Sequence, residues 1–353
     1  MRKGKRLIAW IMAVVMLFTI CVFGGNGPAE AAATTPVAKH GRLSVKGADL
    51  VDSKENKFQL RGISTHGINW DVGSPYVNKK AFKTLRDDWG VNAIRLAMYT
   101  EEYNGYCSGG SQAKLRKLVD KGVGYATDLG MYAIIDWHIL SDGNPNKNKS
   151  QAKKFFTTMA KKYKNNKNVI YEICNEPNGC SWKEIKSYAT DIIKTIRKYD
   201  KKAVIIVGTP TWSQLGTDGT SNEVADSPIK GYKNIMYSLH FYASEWAHNE
   251  YLPAKVAYAR KKKLPIIVSE FGLSPASGDG AINKASADKW MKLLNKYNIS
   301  YFCWSLSNKN ESASLLKPST KKTSGWKSGD LSTAGKYIKK KYLARKKALG
   351  KKA

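Results

Sequence analysis

Two glutamates sit where short runs of apolar and β-branched residues stop: Glu176 in Ile173-Cys174-Asn175-Glu176-Pro177-Asn178, and Glu270 in Ile266-Ile267-Val268-Ser269-Glu270-Phe271-Gly272. A strand that emerges from a buried sheet delivers its last side chain to the rim, so each run would carry a carboxyl to an edge. Two carboxyls on one rim can divide the work of breaking a glycosidic bond, one giving a proton and the other attacking carbon. Whether they share a rim depends on the elements that hold them.

Eight apolar runs of strand length occur, at about residues 58–63, 92–97, 132–137, 168–173, 203–207, 234–240, 265–270 and 299–304. Between them lie stretches with helical spacing: Ala81 to Trp89, Gln112 to Leu129, Ala152 to Tyr163, Trp182 to Tyr199, Ala254 to Lys262 and Lys284 to Tyr297. Strands alternating with amphipathic helices imply parallel pairing through crossovers, and eight such strands close a barrel. The predicted fold is therefore an α/β (β/α)8 TIM barrel. The connection from the fifth to the sixth run holds Thr209-Pro210-Thr211-Trp212 and a loop rich in Gly, Ser and Asp, so its helix should be short or irregular. Ahead of the first run, Leu43 to Lys46 and Ala48 to Asp52 read as a hairpin that would plug the barrel's bottom.

A barrel enzyme keeps its chemistry at the carboxyl ends of the strands. In chain order those ends offer His66 and Trp70; Arg95 and Tyr99; Asp136 and His138; Asn175 and Glu176; Trp212; His240 and Tyr242; Glu270; and Trp304. Three of the five histidines fall there, and Glu176 and Glu270 would face a common mouth.

Arg2, Lys3, Lys5 and Arg6 precede an apolar stretch from Leu7 to about Phe23, followed by Pro28-Ala29-Glu30-Ala31-Ala32-Ala33. This reads as a secretory signal peptide over residues 1–33, which implies an extracellular protein with no membrane association after cleavage; the apolar core is close in length to a membrane span, so an uncleaved anchor is the alternative. Residues 34–343 then form one catalytic barrel and residues 344–353 a basic tail, since no linker or repeat divides the chain. Cys21 leaves with the signal. Cys174 and Cys303 lie in apolar runs and read as buried thiols, whereas Cys107 and Cys180 fall in loops and could pair. There is no CxxC or Cys/His cluster, which argues against structural zinc; no metal is expected among the site residues, and no cofactor is implied.

The net charge is +31; the signal takes four basic residues and Glu30 with it, leaving +28. Nine Lys or Arg and no acid fall between Lys336 and Lys352, where Tyr337, Ile338, Tyr342 and Leu343 suggest a last helix that frays into solvent. Such a segment is either a solvated helix end or a means of attraction to an anionic surface such as a cell wall. No nucleic-acid-binding motif is present, and nucleic acid is not an expected partner.

The strand-end segments resemble those of the retaining endo-β-1,4-glucanases of glycoside hydrolase family 5, especially single-domain bacterial cellulases. The match runs from about Gly41 to Tyr342. It is carried by Gly62-Ile63-Ser64-Thr65-His66-Gly67-Ile68-Asn69-Trp70, Ile94-Arg95-Leu96-Ala97-Met98-Tyr99-Thr100, Ile135-Asp136-Trp137-His138, Tyr171-Glu172-Ile173-Cys174-Asn175-Glu176-Pro177, Ser238-Leu239-His240-Phe241-Tyr242, Val268-Ser269-Glu270-Phe271-Gly272 and Trp304-Ser305-Leu306-Ser307-Asn308-Lys309-Asn310-Glu311-Ser312. Each motif alone is weak, but all of them in order are highly specific.

The resemblance implies that Glu176 is the general acid/base and Glu270 the nucleophile, with carboxyls about 5 to 5.5 Å apart. Arg95 would lie near Glu270 and keep it anionic, Asn175 would bond the sugar 2-hydroxyl, Tyr242 would bond the nucleophile, and His240 would set the surroundings of the acid. His138 would contact the sugar at the cleavage point, while Asp136 reads as a buried structural partner. Flat aromatic faces suit the axial hydrogens of sugar rings, so Trp304, Trp70 and Trp212 are the expected platforms, Trp212 on the aglycone side. His66, Tyr99, Lys309 and Glu311 would add contacts to the substrate. Trp89, Trp137, Trp182, Trp246, Trp290 and Trp326 are read as structural or left unassigned. The expected partner is a β-glucan, bound by a monomer. Cellulose, lichenan, mannan and xyloglucan are not separable by sequence, and a non-catalytic, basic wall-binding barrel is the alternative of a different class.

Overall fold

Chain alternation of strand and helix closes into a ring. The computed structural model describes residues 35–350, so the signal segment inferred for residues 1–33 lies outside it. After a short helix α1 (Pro36–His40), β1 (Ser44–Lys46) and β2 (Asp49–Val51) form the antiparallel hairpin. The barrel strands are β3 (Arg61–Thr65), β4 (Ala93–Tyr99), β5 (Tyr132–His138), β6 (Val169–Glu172), β7 (Ile205–Val207), β8 (Ile235–Tyr242), β9 (Ile266–Gly272) and β10 (Tyr301–Leu306). They pair in parallel, in chain order, and β10 closes on β3. This is the predicted (β/α)8 barrel.

The outer helices are α2 (Lys79–Trp89), α3 (Gln112–Asp128), α4 (Lys149–Tyr163), α5 (Trp182–Arg197), α8 (Trp246–Lys261), α9 (Lys284–Lys296) and α10 (Thr333–Gly350). Side-chain oxygens of Asn78, Ser111, Ser181 and Asn283 cap four of these and satisfy amides that the first turn leaves without partners. Between β7 and β8 stand only α6 (Pro210–Ser213) and α7 (Glu223–Asp226), in line with the irregular connection expected there. Within α6, Thr211 and Trp212 are in the left-handed region, at φ 56° and 52°.

Two helices depart from the sequence reading. Helix α8 begins at Trp246, eight residues before the expected Ala254, because His248, Asn249, Glu250 and Pro253 mask the apolar period of its first turns. The basic tail assigned to residues 344–353 is helical through Gly350. Arg345 donates to Gln59 Oε1 at 2.8 Å, and Tyr342 donates to the carbonyl of Gly62 at 2.8 Å, so α10 is packed onto the barrel beyond Leu343.

Alternation along the strands sorts side chains into an outer apolar shell, facing the helices, and a barrel interior of three layers. The lowest layer is apolar: Leu60, Ala93, Tyr132, Ile134, Ile170, Val204, Ile206, Met236, Ile267 and Phe302 are sealed by Leu43, Leu50 and Phe58. The expected hairpin plug is thus present. Above it lies a polar layer containing Ser64, Arg95, Asp136, Glu172, Ser238 and Ser269, all fully buried. The third layer is the mouth.

One irregularity sets the direction of the mouth's side chains. Ser238 pairs with Ile267, but His240 pairs with Glu270, so β9 carries one residue more than β8 in this stretch. A bulge of this kind lets consecutive residues face the same way. Ser269 and Glu270 accordingly both reach partners inside the barrel.

All four cysteines among the described residues are free thiols. This corrects the possible pairing of Cys107 with Cys180. Both pack against the outer apolar shell, where they act as small hydrophobic groups.

Candidate active site

Arg95 is the hub. It enters from β4 into the polar layer, where its guanidinium faces three carboxyls. Nε donates to Glu172 Oε2 at 2.7 Å; Nη1 donates to Glu270 Oε2 at 2.9 Å and to Ser64 Oγ at 3.3 Å. Nη2 donates to Asn175 Oδ1 at 2.5 Å and lies 3.0 Å from Asp136 Oδ2. Burial opposes the charge on Arg95, but Asp136, Glu172 and Glu270 together outweigh it and raise its pKa. Burial also raises Asp136 to about 7, against the attraction of Arg95, and raises Glu172.

The neighbours of Arg95 orient one another. Asp136 Oδ2 lies 2.6 Å from His138 Nδ1, and burial lowers the His138 pKa to about 3, so the ring is neutral and Nδ1 carries its proton toward the acid. His138 Nε2 is then an acceptor, and Asn175 Nδ2 lies 3.2 Å from it while also donating to the carbonyl of Ile139 at 3.2 Å. With Oδ1 on Arg95 and Nδ2 on His138, the Asn175 amide has one possible orientation.

Glu270 is held from two sides. Besides Arg95, the Tyr242 hydroxyl donates to its Oε1 at 2.9 Å. Tyr242 reaches it because residue 272 is glycine. A Cβ at Gly272 would stand 2.4 Å from the tyrosine ring.

Glu176 follows β6 on the opposite side of the mouth and has quite different surroundings. Its side chain is 13 % exposed, and Oε1 lies 2.8 Å from His240 Nδ1. Burial is the main cause that lifts its pKa to about 8; Asp136 and Glu172 add to this, and Arg95 opposes it. Burial also lowers His240 to about 4, so that ring is neutral. His240 Nε2 lies 2.9 Å from Ser269 Oγ, which in turn bonds Ser238 Oγ. A carboxylate oxygen of Glu176, a ring nitrogen of His240 and a carboxylate oxygen of Glu270 all lie within 4.8 Å of one another. Among the described residues this is the one His and carboxyl cluster compact enough for a metal ion, but Arg95 and Tyr242 already occupy both oxygens of Glu270.

The aromatic residues divide into two groups. His66, Trp70, Tyr99, His138 and Trp304 form one surface: ring centroids are 5.1 Å apart for His66 and Trp304, 4.5 Å for Trp70 and Tyr99, and 5.4 Å for the stacked pair His138 and Trp304. Trp70 is fixed by its indole N–H on the carbonyl of Tyr103, at 2.8 Å. Lys309 Nζ lies 2.5 Å from Glu311 Oε2, and Glu311 Oε1 lies 3.7 Å from His66 Nε2, so these two join the same side. Trp212 is apart from that group, on the loop after β7, and 44 % exposed. Its amide donates to the carbonyl of Pro177 at 3.0 Å, and Ser213 Oγ donates to the carbonyl of Asn175 at 2.7 Å. The left-handed turn at Thr211 and Trp212 is thereby pinned to the segment that carries Glu176.

The site residues expected from the sequence gather at the carboxyl ends of the strands, with Arg95 one layer beneath the mouth. Four that were not singled out belong to the network: Ser64, Glu172, Ser238 and Ser269. A charged residue inside an apolar strand run is itself a signal, and Glu172 after Ile170 would be found by reading the interior period of β6.

A model of the family described as cellulase (glycosyl hydrolase family 5) matches residues 51–310. The chain belongs to that family. This family 5 chain is 47 % identical over 341 residues to an endoglucanase of Clostridium saccharobutylicum, covering 95 % of the chain and 72 % of the relative. It is 45 % identical over 303 residues to endoglucanase A of Butyrivibrio fibrisolvens, covering 85 % and 68 %. Among solved structures it is similar to the catalytic domain of Thermobifida fusca endoglucanase Cel5A, as a single-substitution variant in complex with cellotetraose. The TM-score there is 0.81 at 36 % identity, with 88 % of the chain and 99 % of that domain covered. A family 5 chain is a glycoside hydrolase, and its relatives are endoglucanases.

Proposed function

We propose that this family 5 hydrolase is an endo-β-1,4-glucanase that cuts internal glucosidic bonds with retention, through a glycosyl ester on Glu270. The observation that carries the reading is one pair of carboxyls with oxygens within 4.8 Å of each other and unlike surroundings. That spacing favours direct attack by a carboxylate over the wider gap, about 6.5 to 9.5 Å, that an inverting enzyme needs for its water.

Glu176, lifted to about 8 by burial, is protonated at neutral pH and gives its proton to the departing sugar oxygen. Glu270 Oε1 or Oε2 attacks the anomeric carbon as that bond breaks. Arg95 and Tyr242 fix its direction and take up charge as the ester later releases it. Glu176, now deprotonated, takes a proton from the water that opens the ester. Asn175, aimed by Arg95 and His138, bonds the sugar 2-hydroxyl, a contact that strengthens in the oxocarbenium-like transition state. Trp304, Trp70, Tyr99, His66, Lys309 and Glu311 bind the glycone side and Trp212 the aglycone side.

The same proposal includes secretion, supported by the signal-like first 33 residues. No described helix is long and apolar enough to cross a membrane. It also includes action as a monomer and adsorption to anionic wall polymers through exposed Lys336, Lys340, Lys346 and Lys347 of α10. Replacing these four by Gln should abolish any salt-sensitive adsorption, and unchanged adsorption would dismiss that role. Proton NMR of the first anomer released from a β-glucan tests the central claim: a β product supports it, and an α product overturns it. A panel of cellulose, lichenan, mannan and xyloglucan, with Glu176→Gln as the blank, assigns the preferred chain.

A further inference from the structure

Trp246, read from sequence as structural or unassigned, is 68 % exposed, whereas Trp89, Trp137, Trp182, Trp290 and Trp326 are buried. It opens α8 only four residues after Tyr242, whose hydroxyl holds Glu270, so chain reach limits the two Cα atoms to about 15 Å apart. Tyr251, 38 % exposed, meets its ring edge-on at 5.8 Å and 83°. Gly219, from the loop that follows Trp212, lies against the face of Tyr251: a Cβ there would come within 2.9 Å of the ring.

The turn that presents Trp246 is tied down on every side. The Glu245 amide donates to the carbonyl of Tyr242 at 3.0 Å, and its Oε1 accepts from the amide of Ala276 at 2.7 Å. Asn249 Nδ2 donates to the carbonyls of Ala243 and Glu245, both at 2.9 Å, and its Oδ1 accepts from Trp290 Nε1 at 2.9 Å. His248 joins the turn to the Trp212 loop: Nδ1 accepts from the Tyr242 amide at 2.9 Å, and Nε2 lies 3.1 Å from Gln214 Nε2. A large apolar ring is thus held in water by an ordered frame linked both to the nucleophile's partner and to Trp212.

The order of strands places Trp246 at the carboxyl face, on the side opposite the first aromatic group. Trp304 ends β10, Trp70 follows β3 and Tyr99 ends β4, while Trp212 follows β7 and Trp246 follows β8. Around the closed barrel β7 is four strands from β3, and β8 is four from β4. The two aromatic groups therefore stand on opposite sides of the barrel's carboxyl face, and the strands that lead to Glu176 and Glu270, β6 and β9, flank the second. A chain lying over the first group and passing the carboxyls leaves over the second.

We propose that Trp246, buttressed by Tyr251, is an outer sugar-binding platform for the aglycone end of a β-glucan chain, beyond Trp212. The proposal rests on the endo-glucanase reading. Aromatic faces take up the apolar side of a pyranose, and a rigid indole does so with little ordering of its own.

The test compares kcat/KM on cellohexaose with kcat/KM on an aryl cellobioside, whose aryl group leaves at the Trp212 position and extends no further. Trp246→Ala should lower the ratio of the two about tenfold, through KM, and Trp246→Phe should recover most of it. An unchanged ratio overturns the platform, as does a ratio that Phe fails to recover. Failure of the underlying reading looks different: wild-type protein would then leave cellohexaose uncut.

Discussion

Arg95 and Glu172 form a fully buried ion pair, 2.7 Å from Nε to Oε2, in the layer directly beneath the mouth. The proposed nucleophile and the amide of Asn175 both take their positions from the same guanidinium, so Glu172 acts on the site without reaching substrate. Removing the charge of Glu172 leaves the buried Arg95 with two of its three carboxyls, Asp136 and Glu270. Glu172→Gln should destabilise the protein by about 1 to 3 kcal/mol and lower kcat with little change in KM. Urea unfolding and steady-state kinetics read both effects, and wild-type values in each would show that Arg95 is oriented without it.

Glu270→Ala should leave the fold and oligosaccharide binding intact and reduce turnover by on the order of 10^4-fold or more. Azide, entering the space left by the carboxylate, should restore turnover and yield an α-glycosyl azide. Substantial activity without azide would point to a different nucleophile.

The pKa of about 8 for Glu176 fixes the sign of one pH limb. The acid must be protonated, so kcat/KM should be level below about pH 7 and fall tenfold per unit above about pH 8. Glu176→Gln should abolish this limb when it is read on an activated aryl cellobioside, whose leaving group departs without a proton. A limb that survives the substitution belongs to another group.

Ser269 is the next test, because it fixes the proton on His240. If Ser238 donates to Ser269 and Ser269 to Nε2, then Nδ1–H of His240 points at Glu176 Oε1, and the other oxygen keeps the catalytic proton. Ser269→Ala should lower kcat by about tenfold, the worth of about 1 to 1.5 kcal/mol for one buried hydrogen bond, and should move the basic limb. Ser269→Thr should restore both. A fall in kcat with the limb unmoved would assign Ser269 to packing alone.

The barrel was legible because its information is periodic: eight apolar runs and the helices between them survive errors of a few residues at each end. The strand-end residues followed from that count. What sequence could not give is whatever depends on three-dimensional coincidence. Nothing in Ser238 or Ser269 marks them as partners of a histidine until β8 and β9 are side by side. Trp246 was indistinguishable from the buried tryptophans, because the polar start of α8 and Pro253 hid the helix that displays it. The packing of the end of α10 was hidden for the opposite reason: its charge was plain, but Arg345 finds Gln59, 286 residues away in sequence.

The extra residue in β9 has a consequence for how this site can vary. Side-chain identity is not the only heritable property here; the count of residues matters as well. Deleting Val268 would leave every functional group in the chain and keep a parallel ladder. It would nevertheless rotate the carboxyl of residue 270 out of the mouth, so the smallest lesion able to silence this enzyme changes no catalytic letter at all.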